Sequence, residues 1–207
     1  ELAERAVGAL GIICWPMAEF EADDAIATAV AQLREVPAVD RIVICSPDKD
    51  MAQLVEGDRI VEFDRRRGDV LNEQGVIGKF GVAPASIPDL LALAGDSADG
   101  IPGLPRWGAK SSAQVLARYR HIEHIPGDPG DWDVLVRGSR GLSKILTEYA
   151  DEARLYKDLA TLRTDVPLDA SVELLEWTGV VKKDYLALCE ELAFTRLTDL
   201  PHRWAPA

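Results

Sequence analysis

Histidine and cysteine are scarce in this chain, three of each in 207 residues. Cys14, Cys45 and Cys189 lie far apart in apolar surroundings, and His121 and His124 lack the spacing of a dedicated zinc site. A disulfide framework and a zinc ribbon are thereby excluded. Buried thiols in a reducing compartment, the cytoplasm, are the expectation. No apolar run approaches the roughly 20 residues that span a bilayer, and no basic-then-apolar leader opens the chain, so no membrane role is expected. The three histidines read as structural or exposed. Positive charge is also short, with 23 Lys and Arg against 35 Asp and Glu, a formal net charge of -12. Taken as a sum, that argues against a polyanionic partner. Local distribution matters more, and basic residues gather at Arg65-Arg66-Arg67, at Arg106 with Lys110, at Arg118 with Arg120, and at Arg137, Arg140 and Lys144. Internal repeats and low-complexity tracts are absent. What remains has the composition of a globular protein able to bury a substantial core in one or two domains.

The most informative stretch is LLALAGDSADGIPGLPRWGAKSSAQVLARY, Leu90 to Tyr119. An apolar helical run, Ile87 to Ala94, breaks at Gly95. An acidic turn and a loop rich in glycine and proline follow, and a second helical run covers Ala109 to Arg120. Two helices joined by a glycine-rich loop form a helix–hairpin–helix, which holds phosphate through backbone N–H groups at a helix start. The loop Ile101 to Ser111 is expected to grip duplex phosphates through these N–H groups and Lys110, with Arg106 nearby. Asp96 and Asp99 stand three apart, so a helical turn there puts both carboxylates on one side.

Read in order, Glu1 to Leu10 has a helical pattern with neither an initiating Met nor an N-cap, as if upstream sequence were absent. Gly11 ends it, and Ile12-Ile13-Cys14-Trp15 reads as a short buried strand. Glu21-Ala22-Asp23-Asp24 leads into a helix over Ala25 to Arg34, and three acids in four positions exceed what capping requires. Arg41 to Cys45 has the β-branched pattern of a central parallel strand. It runs into Ser46-Pro47-Asp48-Lys49-Asp50, where open α/β sheets place their active sites. Arg59 to Phe63 and Val70-Leu71 flank a hairpin turn, and Asn72 to Phe80 forms a short helix ending at Gly81. Ile125 to Asp133 is a loop. Leu142 to Leu162 reads as one long helix with Leu146, Tyr149, Ala153, Tyr156 and Leu159 inward, and Tyr185 to Phe194 as a further helix. The order suggests a doubly wound α/β layer with helical support behind it.

Seven acids therefore stand where elements begin or end: Glu21, Asp23, Asp24, Asp48, Asp50, Asp96 and Asp99. Two unit charges about 4 Å apart repel by roughly 1 kcal/mol in water and about 4 kcal/mol at an effective dielectric of 20. A convergent cluster is tolerable only if protons or cations occupy it. Oxygen-only ligands favour Mg²⁺ or Mn²⁺ over zinc, and a metal pair can drive phosphodiester hydrolysis.

EADD, SPDKDMAQLV and GDSADGIPG followed by GAKSSA, in this order and spacing, resemble the 5′-nuclease family, which includes bacterial flap endonucleases and the 5′–3′ exonuclease domain of bacterial DNA polymerase I. KDLATLRTDVPLD, Lys157 to Asp169, resembles the segment that follows the hairpin there. The resemblance implies an α/β fold, a parallel-sheet (PIN-like) core with a helix–three-turn–helix and a helical C-terminal part. It also implies two Mg²⁺ or Mn²⁺ ions and cleavage at 5′ ends or flaps of branched DNA in replication and repair. By resemblance, Glu21, Asp23, Asp24, Asp48, Asp50, Asp96 and Asp99 are the catalytic metal ligands. Gly103, Arg106, Gly108, Lys110 and Ser111 face duplex DNA, with K⁺ held by the hairpin carbonyls. A monomer is expected, divided into 1–84 (nuclease core), 85–124 (DNA-binding hairpin) and 125–207 (helical support).

The match has departures. The family has two further aspartates and a basic helical arch upstream of the residue matching Glu1, and without them the expectation is metal and DNA binding with poor cleavage. Ser46-Pro47 replaces the usual Thr-Gly, which stiffens that loop. Arg106-Trp107 stands where Gly-Val is common, which weakens backbone approach to the ion. Two rival readings are weighed. An aspartyl-phosphate phosphatase would need its nucleophile directly after the strand, where Ser46 and Pro47 intervene. A non-catalytic helix–hairpin–helix module would leave the EADD and DKD acids without purpose.

Overall fold

The β-branched run after Arg41 forms strand β1, Ile42–Ile44, which pairs in parallel with β2, Ile60–Asp64, in the register Ile42↔Ile60 and Ile44↔Glu62. β2 turns back into β3, Asp69–Leu71, antiparallel, with Asp64 opposite Asp69, so the expected hairpin is present. The sheet is small and mixed, in the order β1-β2-β3. The computed structural model describes Glu1 to Pro206, and its chain divides into two units: Glu1–Val36 with the segment from Thr164 onward, and Pro37–Arg163.

The second unit holds the sheet and most of the buried apolar residues. Helix α3, Glu73–Phe80, begins where the Asn72 side chain accepts from Gly75 N at 2.9 Å and ends at Gly81, whose φ of 76° is the left-handed stop that glycine adopts without strain. Helix α4, Ile87–Ala94, is apolar on nearly every face and buried accordingly. It packs against α5, Ala109–Tyr119, and most extensively against α7, Ala150–Ala160. Val76, Ile87, Leu91, Leu93, Ile101, Trp107, Val115, Leu116 and Ala153 form the centre of this core.

One polar network is buried with them. Asp89 on α4 is wholly enclosed; its carboxylate accepts from Ile122 N at 2.8 Å, meets His121 Nδ1 at 2.9 Å and pairs with Lys157 Nζ of α7 at 2.8 Å. Lys157 also reaches Glu123 at 2.8 Å. A buried carboxylate is tolerable when it is paired in this way. Here it fastens the exit of α5 to α4 and α7, and His121 is structural, as expected.

The long helix expected over Leu142 to Leu162 is two helices, α6, Ser139–Glu148, and α7, because Tyr149 leaves helical geometry (φ -111°, ψ 31°). The break turns Ala153 and Ala160 onto α4 and carries Leu159, expected inward, to 66% exposure.

In the first unit, α1 covers Leu2–Ala9 and α2 Ala22–Arg34. Thr28 Oγ1 accepts from Val166 N at 3.2 Å, and the Gln32 amide bonds Leu168 O and Ala170 N, both at 3.0 Å. A short helix α8, Val172–Leu175, precedes α9, Lys182–Glu191, which packs on α1 with Arg5 paired to Glu191. Gly11 stops α1 at φ +72°, where a Cβ would stand 2.0 Å from Gly179 O.

Ile12 to Trp15, expected as a buried strand, pairs with no strand among the described residues, and Ile12 is 51% exposed. β-branched composition alone does not make a strand without a neighbouring ladder to pair its N–H and C=O groups. Among the described residues, of the thiols expected to be buried, only Cys189 is; Cys45 follows the last residue of β1 and is exposed, and Cys14 is exposed within a run that forms no strand. Among the described residues no single helix is long and apolar enough to cross a membrane.

Candidate functional site

β1 delivers the chain through Ser46 and Pro47 to Asp48, and a 3-10 turn, Lys49–Leu54, starts directly after it. Ser46 Oγ accepts from Asp48 N at 3.2 Å, which fixes the corner at the end of the strand. Asp48 is exposed and Asp50 half-buried, with the Asp50 carbonyl accepting from Gln53 Nε2 at 2.9 Å. Gln53 in turn accepts from Leu162 N at 3.1 Å and donates to Ala160 O at 3.1 Å, so the acidic turn is tied to the end of α7.

Asp96 follows α4. Its backbone exchanges two hydrogen bonds of 2.7 Å with Ile101, closing the loop Ser97–Gly100, and its side chain accepts from Ala98 N at 3.0 Å. The carboxylate is 1% exposed. Lys49 Nζ stands 2.7 Å from Oδ1, while Oδ2 is buried without a hydrogen-bond partner. Burial opposes ionisation of Asp96, but the Lys49 ammonium and the Ala98 N–H outweigh it and hold the carboxyl below its usual range. Asp99 is driven the other way: partial burial and then the adjacent Asp96 raise it, with Asp48 adding to the repulsion. Asp96 and Asp99 thus act on one another, Asp48 adds to the field at Asp99, and the Lys49 ammonium acts on both Asp96 and Asp99.

Glu62 adds a further acid that the sequence pattern did not single out. It sits on β2 level with Ile44, is 5% exposed, and has one carboxylate oxygen without a partner. Desolvation is the main cause that raises it, with Asp64 and Asp48 contributing and Lys79 opposing. The signal was available: a glutamate set between apolar Val61 and Phe63, two positions from the buried Ile60. Lys49 was also passed over, although its place between two acids marks it as their counter-charge.

Glu21, Asp23 and Asp24 belong to the first unit, at the start of α2. Glu21 is the N-cap, and its N–H donates to Asp24 Oδ2 at 3.4 Å, so capping accounts for part of this acidic run. Among the described residues no three His, Cys, Asp or Glu side chains stand close enough together to hold a metal ion. The structure does offer an oxygen-only donor set, a like-charged pair at Asp96 and Asp99, and a buried Asp96 oxygen lacking a partner. That chemistry fits a hard divalent cation rather than zinc.

The loop between α4 and α5 is built on backbone contact. Gly95 and Gly103 have φ of +86° and +70°, and a Cβ on Gly103 would stand 2.5 Å from Gly95 N. Arg106, where glycine is common in the resemblance, nevertheless adopts φ +68°. Trp107 turns inward, 3% exposed, and its indole N–H donates to Leu142 O at 3.2 Å. The two substitutions divide the labour: Trp107 anchors the loop in the core, and Arg106 stays on the surface with its guanidinium over Gly141. Gly108 caps α5, its N–H donating to Ser111 Oγ at 3.1 Å. An open cavity of about 670 Å³ lies at this helix start, lined by Arg106, Gly108, Lys110, Ser111, Gln114 and Arg137 among others. A helix N-terminus ringed by three cations is suited to an anion. Arg137 comes from the segment before α6, and the basic run at Arg137 to Lys144 was its sequence signal.

Comparison with known proteins agrees with this arrangement. Residues 1–81 match the family model "5′-3′ exonuclease, N-terminal resolvase-like domain", and residues 82–183 match "5′-3′ exonuclease, C-terminal SAM fold". DNA polymerase I of Pseudomonas aeruginosa is 37% identical over 208 residues, covering 96% of this chain and 22% of the polymerase. DNA polymerase I of Rhizobium leguminosarum is 34% identical, covering 95% of this chain and 19% of that protein. The chain therefore spans about a fifth of the length of the curated relatives it matches. In fold it is similar to the T5 5′-exonuclease with bound zinc ions, at a TM-score of 0.61 and 18% identity over 85% of this chain and 61% of the other. A T5 flap endonuclease in complex with DNA and metal ions aligns at a TM-score of 0.60 and 18% identity, over 85% of this chain and 62% of the other. The mixed α/β part with its small sheet and the helical remainder are the two halves of one known architecture, and the chain belongs to the 5′–3′ exonuclease family.

Proposed function

We propose that this chain carries a metal-dependent 5′-nuclease activity that hydrolyses phosphodiesters at 5′ ends or 5′ flaps of branched DNA, in replication and repair in the cytoplasm. The observation that carries the reading is the buried Asp96 carboxylate, one oxygen of which meets no hydrogen-bond donor, set beside Asp99, which itself lies in the field of Asp48. Such an atom is stabilised by a cation or a proton and by little else. Asp48, Asp50, Asp96 and Asp99 are the residues that would hold Mg²⁺ or Mn²⁺, with Glu21, Asp23 and Asp24 as the further ligands assigned by the family resemblance. When bound, a metal pair supplies an activated water and charge stabilisation at the leaving oxygen.

The chain's own residues do the positioning. Lys49 keeps Asp96 ionised, and Ala98 N fixes the orientation of its carboxylate. Within the helix–three-turn–helix of 85–124, the loop Ile101 to Ser111 takes duplex phosphates through N–H groups at the start of α5, Lys110 and Arg106, with Arg137 beside them and loop carbonyls offering a K⁺ site. Functionally, 1–84 forms the nuclease core, 85–124 the DNA-binding hairpin and 125–207 the support, in a monomer. Calorimetric titration with Mn²⁺ tests the reading: stoichiometric binding is expected, and Asp96→Asn should abolish one site while the circular dichroism stays unchanged. A chain that binds duplex DNA without any stoichiometric Mn²⁺ site would instead be a non-catalytic hairpin module.

A further inference from the structure

The parallel strands β1 and β2 end side by side, and each leads to something different. β1 ends at Ile44, level with Glu62, and passes into the turn that presents Asp48. β2 runs on through Phe63 and Asp64, at about 3.3 Å per residue, into the hairpin tip Arg65 to Gly68. Buried Glu62 lies in the fields of both Asp48 and Asp64. The acidic turn and the hairpin tip therefore project from the same end of the same strand pair.

The tip is a built turn. Asp64 Oδ1 accepts from Arg66 N at 2.8 Å and Arg67 N at 3.2 Å, and Gly68, at φ +76°, returns its N–H to Asp64 O at 2.8 Å. Those two backbone N–H groups are the main reason that the Asp64 carboxyl lies below its usual range. Its charge is thus engaged mainly by the backbone; Arg67 pairs with it at 3.7 Å, an exposed pair of little strength, and Arg66 adds a smaller Coulomb attraction. Among the described residues Arg65 and Arg66 make no ion pair. Three adjacent, exposed guanidinium groups are held out on a fixed turn in a chain of net charge -12. Arginine forks match phosphate oxygens and shed water more readily than lysine.

We propose that the Arg65–Arg67 tip grips the phosphate backbone of the DNA strand that passes the Asp48, Asp96 and Asp99 acids, a second contact separate from the α5 cradle. It offsets the repulsion that these carboxylates impose on an approaching polyanion. The inference rests on the nuclease reading above. It adds a substrate-holding surface that the acidic motifs and the hairpin do not contain.

The test is fluorescence anisotropy of a labelled 5′-flap duplex in Ca²⁺ buffer over a range of salt, for the unaltered chain and for a variant carrying Arg65→Gln, Arg66→Gln and Arg67→Gln. Each phosphate contact contributes about 0.9 to the slope of log K against log salt, so the slope should fall by roughly 2–3 and by the same amount for unrelated sequences. Replacing the same three residues by Lys should restore most of the slope. The turn is held by Asp64 and Gly68, so melting temperature should not move; if it does, Arg66→Gln alone should still lower the slope by about 1. A triple Gln variant with the original slope overturns the inference, including the case in which the tip serves an acidic protein instead. An unaltered chain that binds no flap duplex even at low salt overturns the nuclease reading and this inference together.

Discussion

Lys49 Nζ lies 2.7 Å from Asp96 Oδ1, a half-exposed ammonium closing on a fully buried carboxylate. Lysine and a divalent cation are alternative answers to one electrostatic problem, the Asp96–Asp99 pair with Asp48 nearby. Lys49→Met should therefore lower stability in chelator by about 1–3 kcal/mol, the range for leaving a buried acceptor unpaired, and Mn²⁺ should restore much of the loss. Thermal melts in EDTA and in Mn²⁺ read both effects. A variant that melts like the parent in EDTA would show that the pair contributes nothing to the fold.

The hairpin loop gives two opposite expectations for glycine. At Gly103 the backbone is left-handed and a Cβ would meet Gly95 N at 2.5 Å, so Gly103→Ala should cost about 2–3 kcal/mol. That corresponds to a fall in melting temperature of roughly 5–10 °C. At Arg106 the left-handed backbone carries a side chain, with a penalty of about 1–2 kcal/mol that glycine removes, less the backbone entropy glycine adds. Arg106→Gly should thus leave stability unchanged or raise it by up to about 1 kcal/mol. The same variant should lower the salt slope of duplex binding by roughly 1, because one phosphate-facing cation is gone. Loss of stability at Arg106→Gly would mean that its packing over Gly141 outweighs backbone strain.

Asp89 was invisible as anything but a helix-start acid, yet it ties α4 to Ile122 and α7. Asp89→Ala leaves Lys157 beside one exposed carboxylate only and frees Ile122 N, so a loss of about 3–5 kcal/mol is expected. The pH dependence carries a second readout. Burial lowers Lys157, but its bonds to Asp89 and Glu123 more than compensate and raise it above the ordinary lysine range. A cation with a raised folded value stabilises fully below the unfolded pKa of about 10.4 and loses that contribution as pH rises through the folded value. Urea unfolding should show this alkaline loss in the parent and a smaller one in Asp89→Ala, where Glu123 alone remains beside Lys157. An identical alkaline slope in both would assign it to other lysines.

How much of this was legible follows from which interactions are local. The helix stops at Gly11, Gly81 and Gly95 were readable because positive φ is a local demand that glycine meets. The β2–β3 hairpin was readable because Asp64 to Gly68 is turn chemistry in sequence. Ile12 to Trp15 was misread because a strand depends on a partner that its own residues do not encode. The break at Tyr149 was missed because the apolar period runs straight through it, and the bend is set by packing of Ala153 and Ala160 on α4. The acids of the motifs could be named, but their unequal states could not. Asp96 is set low by Lys49, which tertiary structure brings to it, and by the Ala98 N–H, whereas partial burial and the neighbouring Asp96 set Asp99 high.

Glu62 gives the sharpest test of the sheet end. Its carboxyl is buried on β2 with one oxygen lacking a partner, and desolvation raises it above the ordinary glutamate value. Between that ordinary value, about 4.3, and the raised one, the folded chain keeps a proton that the unfolded chain has released. Binding more protons when folded means that stability falls as pH rises through this window. Below the ordinary value both states are protonated and the penalty vanishes. Glu62→Gln preserves shape and removes the titration. It should be more stable than the parent at pH 7 by about 1 kcal/mol, at the low end for a buried polar atom without a partner. The difference should shrink towards zero near pH 4. Urea unfolding of both proteins at pH 4, 5.5 and 7 measures this directly. If the difference is the same at all three, the carboxylate finds its partner in solution and the strand-end field assigned to Asp48 and Asp64 is too weak to matter.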